Sequence, residues 1–99
     1  DEKEIEQPLQ LALYRIVQEE LSNILKHANA TRVTIHLCGS GNYLNLKVSD
    51  NGKGFDLANM KQGLGITNIY NRAENFGGTA KIISAPGKGC ILLITIPLN

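Results

Sequence analysis

The residues of this sequence best suited to chemistry form one polar stripe and one acidic position at the end of an apolar run. A helix turning about 100° per residue over positions 8–28 places Asn23 about 40° from Glu19, Lys26 about −20° and His27 about 80° from it. A carboxylate, an amide, an ammonium and an imidazole then share one edge of that helix. An asparagine oxygen is a hard, neutral ligand suited to Mg²⁺. A nearby glutamate can orient or deprotonate a nucleophile, and a lysine can meet phosphate oxygens as a compact charge. On residue types alone, a solvated helix face is the ordinary alternative.

Asp50 has the parity of Leu44, Leu46 and Val48, so a pleated strand through these residues aims it at the buried layer. A carboxylate there needs a donor, because burying it unpaired costs on the order of several kcal/mol. The exocyclic amine of a purine would serve. The alternative is that Asp50 only opens the Asn51-Gly52 turn, where aspartate is common. Beyond it the chain turns glycine-rich, with Gly52 and Gly54 on one side and Gly63-Leu64-Gly65 on the other of a short polar segment. Glycine permits close approach of backbone to a ligand, and a helix starting after Gly65 would point its first N–H groups at any nearby phosphate. The pairing reads as a short lid hinged at both ends. Neither glycine group fits a Walker loop or a dinucleotide fingerprint.

These positions need elements to hold them. Leu9, Leu13, Ile16, Val17, Leu21, Ile24 and Ala28 follow helical spacing, with Pro8 suited to the first turn. Val33, Ile35 and Leu37 alternate with polar residues, as do Leu44, Leu46 and Val48 after the turn Gly39-Ser40-Gly41-Asn42. This predicts a β-hairpin with one buried face. A second helix is expected over about 66–76, burying Ile69, Ala73 and Phe76 and stopping at Gly77-Gly78. Two further strands, about 79–85 and 90–97, flank the turn Pro86-Gly87-Lys88-Gly89. The order predicts an α+β fold, a two-layer sandwich with helices on one face of a mixed, mostly antiparallel sheet. Residues 1–7 read as a linker remnant and 8–99 as the domain.

Composition narrows the class. The 99 residues are 42% hydrophobic and 19% charged with a net charge of +1. The chain is therefore globular rather than disordered, and no general attraction to nucleic acid is expected. An anion must be bound by a local site. No apolar run approaches the ~20 residues of a membrane span, and the acidic start is unlike a signal peptide. The sequence reads as a cytoplasmic domain, one that a parent anchored in the inner membrane could carry. Cys38 and Cys90 lack zinc or redox spacing and read as two buried thiols in a reducing compartment.

The segments EELSNILKHA, DNGKGF, GLGITNIYNRAENFGG and PGKGC, in that order over nearly the whole chain, resemble the catalytic domain of histidine kinases of the nitrate-sensor and lipid-fluidity-sensor subfamily. These belong to the Bergerat-fold superfamily, with gyrase, heat-shock ATPase chaperones and mismatch-repair ATPases. The resemblance implies an ATP-binding domain using ATP and Mg²⁺. Asn23 resembles the asparagine that ligates the metal on the ATP phosphates. Glu19 matches the acidic residue one turn earlier, which polarises the attacking group. Lys26 and His27 match the basic end of that box, near the phosphates. Asp50 resembles the aspartate that reads the adenine amine, with Gly52 and Gly54 lining the base, and Gly63, Leu64 and Gly65 resemble the glycine box at the lid's end. Arg72 occupies a position often structural in the family. Where the family usually places a threonine in the adenine–aspartate water network, this chain has Cys90, a poorer hydrogen-bonding group.

The implied reaction is phosphoryl transfer from Mg-ATP to a histidine on a separate dimerisation helix domain, through which the parent would be a homodimer, with a response regulator downstream. His27, in the nucleotide box, and His36, on a strand face, are poor acceptors, so the acceptor is expected before residue 1. Two alternatives share the fold: an anti-sigma-factor-type serine kinase, and a non-catalytic nucleotide-binding interaction module.

Overall fold

The computed structural model describes residues 6–54 and 66–98, apart from the side chains of residues 27 and 28. Helix α1 runs Gln7–Asn23 with Pro8 in its first turn, where the missing N–H has no helical partner to lose. Leu9, Leu13 and Ile16 are buried along one stripe, which Glu20 and Asn23 continue. The winding then loosens into a π-helical turn, Ile24–Ala28, closed by Asn29 in the left-handed conformation (φ 53°). Strands β1 (Val33–Ser40) and β2 (Tyr43–Asp50) form the expected hairpin. Helix α2 spans Ile66–Glu74, burying Ile69 and Ala73, and ends where Gly77 takes φ 75°. That conformation lets the N–H of Gly78 return to the carbonyl of Ala73 at 3.0 Å, satisfying one of the orphan acceptors of a helix end. Strands β3 (Thr79–Ser84) and β4 (Cys90–Pro97) complete the architecture.

The strands form one sheet in the order β1-β2-β4-β3, and all three pairings are antiparallel. The helices pack on one face of it, giving the two-layer α+β arrangement. Its core joins Leu13, Ile16, Ile24 and Ile69 of the helical layer to Leu44, Leu46 and Val48 of β2 and Leu92, Ile94 and Ile96 of β4. Burying one such side chain contributes roughly 1.5–3 kcal/mol, and alternate residues of β2 and β4, Leu44, Leu46 and Val48 with Cys90, Leu92, Ile94 and Ile96, are the buried ones.

Two expectations need correction. Val33, Ile35 and Leu37 do pair with Asp50, Val48 and Leu46 and so share their face, yet all of β1 is exposed. It is the edge strand, and the helical layer covers the sheet beneath β2 and β4 instead. Cys38 is likewise exposed rather than buried, because its pairing with Asn45 puts it on the opposite face of that same edge. Cys90 is buried, and both thiols are free. Among the described residues no helix is long and apolar enough to cross a membrane.

Candidate functional site

The inward face of α1 and the paired ends of β2 and β4 meet at a buried polar cluster. Asp50, the last residue of β2, is directly opposite Cys90, the first of β4. Its Oδ1 accepts the N–H of Gly52 at 2.7 Å, closing the turn. Its Oδ2 is buried and has no hydrogen-bond partner among the described residues. From the helical layer, Glu20 reaches the same point at 1% exposure. Its Oε1 accepts from the amide of Asn23 at 3.5 Å, and its Oε2 from the Cys90 thiol at 3.7 Å. One ligating atom from each of Glu20, Asp50 and Cys90 lies within 4.8 Å of the other two. By residue type this trio could accept polar hydrogens or hold a small cation.

Burial is the main force on two ionisable groups of the cluster. It pushes the Glu20 carboxyl from 4.5 up to about 7; the hydrogen bonds from Asn23 and Cys90 oppose it, and the charge of Asp50 adds to it. The Cys90 thiol is pushed up to about 12, first by burial and then by the charges of Glu20 and Asp50. It therefore stays a neutral, weak donor near neutral pH.

A separate network extends the β1–β2 pairing beyond Val33 and Asp50. Asn51 accepts the N–H groups of Thr31 and Arg32 on Oδ1 at 3.0 and 2.9 Å, and its amide donates to Thr31 Oγ1 at 2.9 Å. Its own N–H bonds the carbonyl of Arg32 at 3.2 Å. The segment leaving the π-helical turn is thus tied to the loop that follows Asp50. Beyond it, Gly54 has φ 70°, and a Cβ built there would lie 2.1 Å from the carbonyl oxygen of Ala85 and 2.8 Å from that of Gly89. The space a side chain would need at Gly54 is filled by the β3–β4 turn, which packs directly on this loop.

The sequence-selected residues divide as follows. Asn23 is buried, and Glu20 links it to Asp50, so these two residues face a common interior point. Glu19, one turn before Asn23, is half-buried, and Lys26 is exposed on the π-helical turn. His27 lies in the same turn, its side chain outside the described residues. Gly52 and Gly54 are half-buried in the loop after β2. Gly63, Leu64 and Gly65 lie outside the described residues. Glu20 and Asn51 were missed. Glu20 was within reach of the periodicity, since the stripe Leu13–Ile16 extended by four residues lands on it. A groove between the start of α1 and the end of α2, lined by Pro8, Arg15, Arg72 and Phe76, lies at the other end of α1 from this cluster.

The family described as histidine kinase-, DNA gyrase B-, and HSP90-like ATPase matches residues 9–99. The chain belongs to that family. Within this ATPase family, its relatives include the sensor protein VraS of Staphylococcus aureus, 42% identical over 88 residues, an alignment covering 88% of this chain and 25% of VraS. VraS of Staphylococcus haemolyticus matches to the same extent. The chain therefore spans about a quarter of the length of these relatives. Among solved structures, the blue-light activated histidine kinase EL346 of Erythrobacter litoralis superposes with a TM-score of 0.82 at 25% identity, covering 99% of this chain and 33% of that one. The ATP binding domain of PrrB from Mycobacterium tuberculosis gives 0.77 at 26% identity, covering 90% and 68%.

Proposed function

We propose that this domain binds Mg-ATP in the space between α1 and the ends of β2 and β4, and presents the γ-phosphate to a histidine on a separate helical dimerisation domain. The observation that carries the reading is the Oδ2 of Asp50, a buried acceptor with no partner among the described residues. It lies in the same cluster as the buried amide of Asn23, through Glu20. An unmatched acceptor of this kind is suited to an N–H from a ligand, and the adenine amine is such a group.

Asn23 suits a magnesium ion. Its amide nitrogen is engaged by Glu20, which leaves its oxygen as the hard neutral donor such an ion takes. When bound, the ion would neutralise charge on the phosphate oxygens. Glu19 stands one helical turn before Asn23 and is only half-buried, placing a carboxylate where it can orient the acceptor imidazole. Lys26 and His27, on the loosened turn beyond, would meet the phosphates. Gly52 and Gly54 would lie along the base, and Gly63, Leu64 and Gly65 would close the lid. Transfer would break the bond from the γ-phosphorus to the ADP oxygen and form one to an imidazole nitrogen, so the domain's task is positioning and charge stabilisation. In this reading the parent is a homodimer through its helical domain, passes the phosphoryl group to a response regulator, and keeps this domain on the cytoplasmic side of an inner-membrane anchor.

The test is titration calorimetry of the chain with ATP, with and without Mg²⁺. Asn23→Ala should lose the Mg²⁺-dependent part of the affinity, about tenfold or more for a buried ligating group, while its circular dichroism stays that of the parent. Equal Mg²⁺-dependent affinity in the two proteins would remove the basis of the assignment.

A further inference from the structure

Side chains from three elements offer electron pairs to one buried point. Glu20 of α1, Asp50 at the end of β2 and Cys90 at the start of β4 each bring one ligating atom within 4.8 Å of the other two. Glu20 is 1% exposed and Cys90 2%. The Oε2 of Glu20 lies 3.7 Å from the Cys90 sulfur. A tetrahedral zinc ion, bonded to a thiolate at ~2.3 Å and a carboxylate at ~2.1 Å, holds those two atoms about 3.6 Å apart. One edge of such a site is therefore at its working length. The remaining separations, at most 4.8 Å, close with side-chain movements on the order of 1 Å. An independent observation points the same way. The Oδ1 of Asp50 is engaged by the Gly52 N–H, while its Oδ2 is buried and unpartnered among the described residues. A buried acceptor without a donor is costly, and a cation satisfies it as well as an N–H does.

The donor set decides the kind of ion. Magnesium takes hard oxygen ligands, whereas one thiolate with two carboxylates suits zinc or its heavier congener cadmium. Three protein ligands leave a fourth position open. We propose that Glu20, Asp50 and Cys90 form a site for a thiophilic divalent cation of the zinc class, and that its occupancy excludes the purine amine from Asp50. The exclusion rests on the nucleotide reading above; the metal site does not. On binding, the Cys90 S–H bond breaks, its proton leaves to solvent and a sulfur–metal bond forms. The charges of Glu20 and Asp50 help to hold the proton on that thiol, and they favour its replacement by a dication, because a bound ion inverts the local electrostatics. Zinc would thereby block the domain through a ligand set that does not include Asn23.

Cadmium reports on the sulfur directly, because a cadmium–thiolate bond adds a charge-transfer band in the ultraviolet. The experiment titrates the chain, Cys38→Ala, Cys90→Ala and Glu20→Leu with Cd²⁺ by absorbance and with Zn²⁺ by calorimetry. The exposed Cys38 is the control for adventitious binding to a surface thiol. The band should appear in the parent and in Cys38→Ala, and be lost in Cys90→Ala. Glu20→Leu should weaken Zn²⁺ binding at least as much as the ~10- to 100-fold that loss of a supporting residue costs a metal site. Circular dichroism without metal checks each fold, and Cys90→Ser, which keeps the size and loses the soft ligand, repeats the test if Cys90→Ala unfolds. Adenosine, which carries the amine and has no phosphates to chelate metal, should suppress the band. A band that survives loss of the Cys90 thiol, or its absence from Cys38→Ala, overturns the site. A band lost with Cys90 but indifferent to adenosine, in a chain whose ATP affinity still responds to Asn23→Ala, overturns the exclusion. If the chain binds no nucleotide, the nucleotide reading and the exclusion fail together, while the Cys90 band still decides the metal site.

Discussion

The position of Glu20 makes the stability of the domain depend on pH in a direction opposite to that of most acidic residues. Its carboxyl is raised from 4.5 to about 7, chiefly by burial. Between these values the folded chain holds a proton that the unfolded chain has released. Stability is therefore fully present below about pH 4.5 and is lost as pH rises through about 7, because stability falls with pH wherever the native state binds more protons. At 1.36 kcal/mol per pH unit, the loss is on the order of 3 kcal/mol across the window. That is a large share of the 5–15 kcal/mol that holds a typical domain together. Asp50 faces Glu20 from β2, Cys90 from β4 and Asn23 from the next turn of α1. Of these, Cys90 does not titrate in the window, since its thiol is pushed up to about 12.

The perturbation that isolates this effect is Glu20→Met, which keeps the length of the side chain and removes the acid. Urea unfolding of parent and variant, followed by circular dichroism at several pH values from 4.5 to 8, cancels the titration of the shared carboxylates that do not face Glu20. The variant should gain on the parent steadily as pH rises. With a denaturant slope of about 1 kcal/mol/M for a small domain, the midpoint gap should widen by about 2–3 M. Parallel midpoint curves would refute the reasoning, since they require Glu20 to ionise in the folded chain as readily as in the unfolded one.

Two further outcomes follow from the same geometry. Asp50→Asn keeps an oxygen for the Gly52 N–H but turns an amide donor toward the ligand space, so ATP affinity should fall by about 10- to 100-fold. A purine triphosphate without the 6-amino group should lose much less, and calorimetry showing equal losses would count against Asp50 as the amine's partner. Gly54→Ala forces a Cβ against the carbonyl oxygens of Ala85 and Gly89 at positive φ. It should destabilise the domain by about 2–3 kcal/mol, a drop of roughly 8 °C or more in melting temperature; an unchanged melting curve would show that the loop and the β3–β4 turn are not packed as described.

The parts of this fold that could be read from residue order are those where a repeat meets a boundary. Both helices, both hairpins and the inward aim of Asp50 came from periods of 3.6 and 2. Alternation tells which residues share a face, however, and not whether anything lies over that face. The exposure of Val33, Ile35 and Leu37 depends on β1 being at the edge in the order β1-β2-β4-β3, a long-range fact with no local signature. Glycine letters were ambiguous in the same way. At Gly54 the close neighbour of a Cβ would be backbone from 31 residues further along the chain, a contact that composition alone does not reveal.

Glu20 escapes the sequence reading for a different reason, since a pattern of apolar spacing passes over a polar residue even where that residue continues the buried stripe. That polar residue in a buried stripe is the informative feature. A chain with ordinary means of stabilising itself would place leucine or isoleucine at Glu20. Instead a carboxyl with two poor partners is buried against a second carboxyl that has an oxygen with none among the described residues. Directly after Asn23 the helix gives up α winding for a π turn, a departure frequent at functional sites. Three costs borne by different elements converge within one helical turn of Asn23. Packing alone gives no reason for them to coincide, whereas a ligand bound at this point would.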